Sequence, residues 1–137
     1  MYPTNLKYLE SHQWAELKGD VLVTGISVFA GDKLGDITGL DLPSVGDAFE
    51  QMQEVGGIEF GSENITLHAP LAGEVIAINT ALINNYGAIV DSPYEDGWFF
   101  KVKIIDPVEM DELMTVEEYE NYLSTVDASD EIDSAEL

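Results

Sequence analysis

The chain has 137 residues, 45% of them hydrophobic, and 27 acidic residues against 5 basic ones give a formal net charge of -22. That length suits one domain with a core of its own, and so negative a chain repels nucleic-acid phosphates and anionic membranes, leaving as expected partners basic protein surfaces or nothing specific, with solubility the plainer reading of the charge. There is no cysteine, so disulfides, thiolate nucleophiles and cysteine metal sites are excluded; no run reaches the ~20 apolar residues of a membrane span, no basic-then-apolar leader is visible at the N-terminus, and the cytoplasm is the expected compartment.

Residues 6 to 17 pair with Val21 to Ile26 across the turn Lys18-Gly19-Asp20, predicting an opening β-hairpin. Ser27 caps a short helical turn that Gly35 ends, and Ile37 to Leu42 is a further strand. Pro43 fixes φ and starts a turn. Phe49, Met52 and Val55 recur every three residues, which fits a helical stripe or an irregular strand equally. Asn79 to Ile83 reads as a short capped helix, residues 84 to 87 as a loop, and residues 91 to 97 as a turn cluster. Trp98, Phe100, Val102 and Ile104 alternate with Lys101 and Lys103, the signature of a strand with one buried face. Val108 to Leu123 carries a broken apolar stripe and predicts a helix, with Thr115 as an internal cap. Residues 124–137 are acidic and without a base, so the reading is one domain over residues 1–123 and a disordered acidic tail over 124–137.

Between these lies the most informative stretch, Gly56 to Val75. Ile65, Leu67 and Ala69 share one parity and Thr66 and His68 the other, giving a half-buried strand stopped by Pro70. Gly61-Ser62-Glu63-Asn64 is turn chemistry, since glycine and asparagine tolerate positive φ. The prediction is a hairpin with its tip near Ser62, exposed to solvent. Many short strands with glycine and proline turns and one C-terminal helix argue for a small β-sandwich or barrel.

The order of motifs resembles the H protein of the glycine cleavage system, a lipoyl-carrier relative of biotinyl and lipoyl domains. The matching pieces are Lys7-Tyr8, Ser11-His12-Gln13-Trp14, Thr24-Gly25-Ile26, Leu34-Gly35-Asp36-Ile37 and Leu42-Pro43. They continue through Pro70, Gly73-Glu74-Val75, Asn79, Asp91-Ser92-Pro93-Tyr94, Gly97-Trp98 and Asp106-Pro107. The resemblance implies a mainly β fold with short helices: a flattened antiparallel sandwich or half-barrel of the lipoyl-domain type, with a C-terminal helix. It also implies a carrier lysine at the hairpin tip, in a Glu-Ser-Val-Lys context. Counting forward from Leu42-Pro43 and back from Pro70 puts that position at Ser62, with the glutamate kept as Glu59. No lysine lies between Lys33 and Lys101. A serine has no amine to acylate, so lipoate is not expected as a cofactor. The expectation is a non-catalytic protein-binding or scaffold module, or else a docking partner, regulator or decoy among the glycine cleavage enzymes.

Other chemistry is sparse. His12 and His68 have no paired spacing for a metal, no catalytic triad or phosphate loop is visible, and no enzyme activity is expected. Phe60 beside the tip is either a solvent-facing interaction anchor or a core contact. With Ser62, His12 and Trp14 it completes the candidate interaction set.

Overall fold

The computed structural model describes residues 3–29, 36–61 and 63–133, with residues 126–133 described by backbone alone. Among the described residues, nine strands form two antiparallel sheets. The first six are β1 (Lys7–Tyr8), β2 (Gln13–Lys18), β3 (Val21–Ile26), β4 (Gly39–Asp41), β5 (Ala48–Phe49) and β6 (Glu54–Phe60). The others are β7 (Glu63–His68), β8 (Gly73–Ile78) and β9 (Phe100–Ile104). A six-stranded sheet runs β1-β2-β3-β9-β8-β5, and a three-stranded sheet runs β4-β6-β7. This is the expected mainly β, unclosed sandwich.

The main core lies between the sheets. Leu22, Ile58, Leu67, Leu71, Val75, Phe100 and Val102 are all at or below 1% exposure there. Alternation places them: in β9, Phe100 and Val102 point inward and Lys101 and Lys103 outward, as the sequence predicts.

A second apolar cluster sits on the opposite face of the six-stranded sheet. Leu6, Tyr8, Trp14, Phe29, Tyr119 and Leu123 form it, and Tyr8 and Tyr119 stack in parallel with centroids 4.5 Å apart. The Trp14 ring lies directly over Gly25, where a Cβ would come within 2.8 Å of the indole, so only glycine fits beneath it. Because β2 is covered on both faces, Gln13, Trp14 and Ala15 are all buried in succession.

Helical segments depart from the sequence reading. Asn79 precedes a 3-10 turn, Thr80–Asn84, but its side chain makes no cap. Instead Nδ2 donates to the carbonyls of Asp96 and Trp98 at 2.8 and 2.9 Å, pinning the loop that leads into β9. The predicted loop at 84–87 runs into a short helix, α1 (Gly87–Asp91). The ambiguous Phe49–Val55 segment is neither a helix nor a single strand: β5 ends at Phe49, Met52 turns the chain at φ 69°, and β6 begins at Glu54.

The helix expected over Val108–Leu123 is split. Pro107–Glu112 is a 3-10 turn, and Met114 then bridges to Tyr8 through two backbone bonds of 2.8 and 2.9 Å. That pairing extends the chain and resets the helix. α2 (Val116–Asp133) starts afresh behind Thr115. Thr115 Oγ1 accepts from the Glu118 amide at 3.2 Å while Glu118 Oε1 accepts from the Thr115 amide at 2.8 Å, a reciprocal capping box. The α2 backbone continues past Leu123 to Asp133, through part of the stretch expected to be a disordered tail. Leu123 is its last buried residue among those described, and Ser124 and Thr125 are exposed. The expected helical turn behind Ser27 begins at Val28, and its remainder, including Gly35, lies outside the described residues.

Candidate functional site

The hairpin β6–β7 is held at its base by hydrogen bonds from β2 and has open space beside Gly61 near its end. Its strands pair from Glu54↔His68 to Phe60↔Glu63, which leaves Gly61 and Ser62 to connect them. Ser62, the position on which the carrier reading turns, lies outside the described residues. Gly61 has φ +67° and no atom within 4 Å of where a Cβ would stand, so the chain turns there in open space.

Two contacts brace the turn. The Gly61 amide donates to Thr38 Oγ1 at 3.0 Å, and the Thr38 amide donates to the Glu59 carbonyl at 2.8 Å. Thr38, just before β4, is a supporting residue that the sequence reading passed over; a lone threonine next to a short strand carries no signal of its own. Glu59 is exposed on the outer face of the three-stranded sheet, with its carboxylate lying over Gly39.

Phe60 points the other way. It is 5% exposed and belongs to the main core with Ile58 and Leu67, so the alternative of a solvent-facing anchor is excluded. The physical reason is parity: Ile58 and Phe60 face in while Glu59 faces out.

At the far end of the hairpin, Gln13 from β2 grips β7. Its Nε2 donates to the His68 carbonyl at 2.9 Å and its Oε1 accepts from the His68 amide at 2.7 Å. Nε2 also reaches Thr24 Oγ1 at 3.2 Å, and Ser11 Oγ donates to Oε1 at 2.8 Å. A fully buried amide thus has its hydrogen-bonding capacity used, and it ties the two sheets together. Sequence reading placed Gln13 only inside a motif; nothing in a single sequence marks a buried glutamine as a clamp.

The other candidates are structural. Trp14 is 1% exposed and its Nε1 donates to the Pro93 carbonyl at 2.8 Å, so it offers no interaction surface. His12 is half-buried at φ 71°, with Nδ1 3.0 Å from the Tyr119 hydroxyl and its ring 4.8 Å from Phe29. Tyr119 in turn shares a 2.6 Å bond with Ser27. This network fastens α2 to the β2–β3 hairpin, well away from the hairpin tip in sequence and in sheet. Among the described residues no group of three or more His, Asp and Glu could hold a metal.

The four described lysines are placed elsewhere. Lys18, Lys101 and Lys103 stand on β2 and β9 of the six-stranded sheet, where Lys18 pairs with Glu16 at 3.7 Å and Lys103 with Asp20 at 3.8 Å. Lys101 lies over the Trp98 ring at 4.9 Å. Lys7 is on β1, and Lys33 lies outside the described residues. No described helix is long and apolar enough to cross a membrane.

This geometry matches known proteins closely. The family model for the glycine cleavage H-protein matches residues 6–126. A glycine cleavage system H protein of Acaryochloris marina is 40% identical over 119 residues, covering 87% of this chain and 93% of its own. That of Nitratidesulfovibrio vulgaris is 45% identical over 102 residues, covering 74% and 80%. The crystal structure of an H protein from Mycobacterium marinum superposes with a TM-score of 0.77 at 27% identity, covering 89% of this chain and 98% of that one. With its two open sheets, its presented hairpin and its C-terminal helix, the chain belongs to the glycine cleavage H-protein family.

Proposed function

We propose that this chain is an H-type domain that carries no lipoyl arm and works as a non-catalytic protein-binding module in the cytoplasm. The observation that carries the reading is Ser62 at the family's carrier position, with no lysine anywhere from residue 34 to residue 100. Attaching lipoate requires an amine that can be acylated to an amide. A serine hydroxyl cannot form that bond, and its single methylene gives no reach. The chemistry of the hairpin therefore does not fit the group, and no carrier step runs through it. The working unit is the domain over residues 1–123, with the acidic stretch beyond it peripheral. The test is the intact mass of the chain after co-expression with a lipoate ligase. The expected mass is that of the unmodified polypeptide; a stoichiometric lipoyl adduct would sink the reading.

Family membership favours a second version of the same module. In it the chain docks on the glycine cleavage enzymes as a regulator or decoy, presenting the H-type surface without the arm. Added in excess, it would then slow the transfer of aminomethyl groups to a lipoylated H protein. An unchanged rate at saturating excess would dispose of that version.

A further inference from the structure

Among the described residues the three-stranded sheet has a free edge, and its pattern of backbone groups says what would add to it. β7 is the last strand in the order β4-β6-β7. The Glu59 carbonyl is taken by Thr38 on the β4 side, so Glu59↔Asn64 is a pair without mutual backbone bonds, and the amide and carbonyl of Asn64 point away from β6. At the other end of the strand, the outward amide and carbonyl of His68 are both taken by the Gln13 side chain. Thr66 lies between them with the same parity. Its outward groups and those of Asn64 have no partner among the described residues, and both residues are exposed. The Gln13 amide thus occupies one position of a missing neighbouring strand, and the next two are open.

The outer face beside this edge is also shaped. Gly57 pairs with both Thr66 and Asp41, and its missing side chain leaves a shallow bowl of about 390 Å³. Exposed Asp41 and Glu59 line the bowl together with Asn64 and Thr66. Neighbouring strands lie about 4.8 Å apart, so a strand added to β7 would sit about 9.6 Å from β6. A lysine or arginine on it can lean across Thr66 and bring its charge over Gly57.

We infer that β7 is a docking edge for an extended segment of a partner protein. That segment adds as a strand along Asn64 and Thr66 and places a cationic side chain over Gly57, between Asp41 and Glu59. Two independent features select the occupant: the open backbone ladder selects an extended peptide, and the two carboxylates in a chain of net charge -22 select a basic one. The inference deepens the binding-module reading above and rests on it for its biological sense. Its test, however, reads a different property from the lipoyl mass. A lipoyl adduct would overturn the non-carrier reading and leave the edge standing, and a failed titration would do the reverse.

The experiment is an NMR titration of the full, isotope-labelled chain with an end-blocked synthetic peptide that alternates arginine and valine. Two controls accompany it: the same peptide with glutamate in place of arginine, and the arginine peptide N-methylated at the residues facing β7. The arginine peptide is expected to give saturable shifts at Asn64 and Thr66 and to slow exchange of their amides by about tenfold or more. The two controls should give neither effect. Thr66→Pro removes an outward donor on an edge strand, where proline is tolerated, and is expected to weaken binding about fivefold. The Asp41→Asn/Glu59→Gln double variant, whose side chains support no core contact, should weaken it about threefold. Shifts scattered over the acidic surface without protection of Asn64 and Thr66 would overturn the inference. So would N-methylated peptide binding as well as its parent.

Discussion

The two sheets differ in how completely they are covered, and the difference separates what holds the fold from what the fold can present. The β1-β2-β3 end of the six-stranded sheet is buried on both faces, by the main core on one side and by the Tyr8, Trp14, Tyr119 cluster on the other. The three-stranded sheet is covered on one face only, with Asp41, Glu59, Asn64 and Thr66 exposed on the other. Ile58, Phe60 and Leu67 anchor the hairpin from below, and the Gln13 amide clamps its base. Toward its tip, Gly61 is braced by Thr38 and has open space where a Cβ would stand. Substitution at the tip is therefore expected to leave the fold intact, which makes the proposed loss of the carrier lysine compatible with an H-type architecture.

That contrast can be broken hardest at Trp14. Trp14→Ala removes a large ring at 1% exposure and an indole hydrogen bond to Pro93, and should cost about 3–5 kcal/mol. A urea melt should show a large drop in midpoint, and a midpoint close to wild type would mean that the second cluster contributes little. The clamp comes next. Gln13→Leu keeps the volume but leaves the His68 amide and carbonyl without their partner, an expected loss of about 1–3 kcal/mol. Hydrogen exchange at His68 should then quicken while that at Leu22 changes no more than the global stability does. Smaller still, Thr115→Ala opens the capping box at the start of α2 and should cost about 1 kcal/mol, read from the same urea melts. At the tip, Ser62→Lys should shift stability by no more than about 0.5 kcal/mol.

Much of this division was legible in the sequence, and the failures have physical causes. Strand β9 followed from strict alternation between apolar residues and Lys101 and Lys103, because one of its faces is core. The Phe60 orientation was also encoded, in the Ile58-Glu59-Phe60 alternation, but the glycine and turn residues directly after it leave parity alone compatible with either a core contact or an exposed anchor. Trp14 was harder to place. Alternation assumes one wet face, and β2 has none at Gln13-Trp14-Ala15, because α2 returns from the far end of the chain to cover it. The helix expected over Val108–Leu123 was interrupted for a similar reason: Met114 pairs with Tyr8, and a contact between residues so far apart overrides the local preference. Gln13 and Thr38, which support the hairpin, had no local pattern at all, since their roles exist only once the two sheets are packed.

The account stands or falls on residue 62, and one experiment isolates it: wild-type chain and Ser62→Lys, each co-expressed with a lipoate ligase and weighed intact. The account predicts an unmodified wild-type mass and a single lipoyl adduct on Ser62→Lys, because the strands pair as far as Phe60↔Glu63 and the substitution supplies the amine that acylation needs. A lipoyl adduct on the wild-type chain, or none on Ser62→Lys, would contradict it.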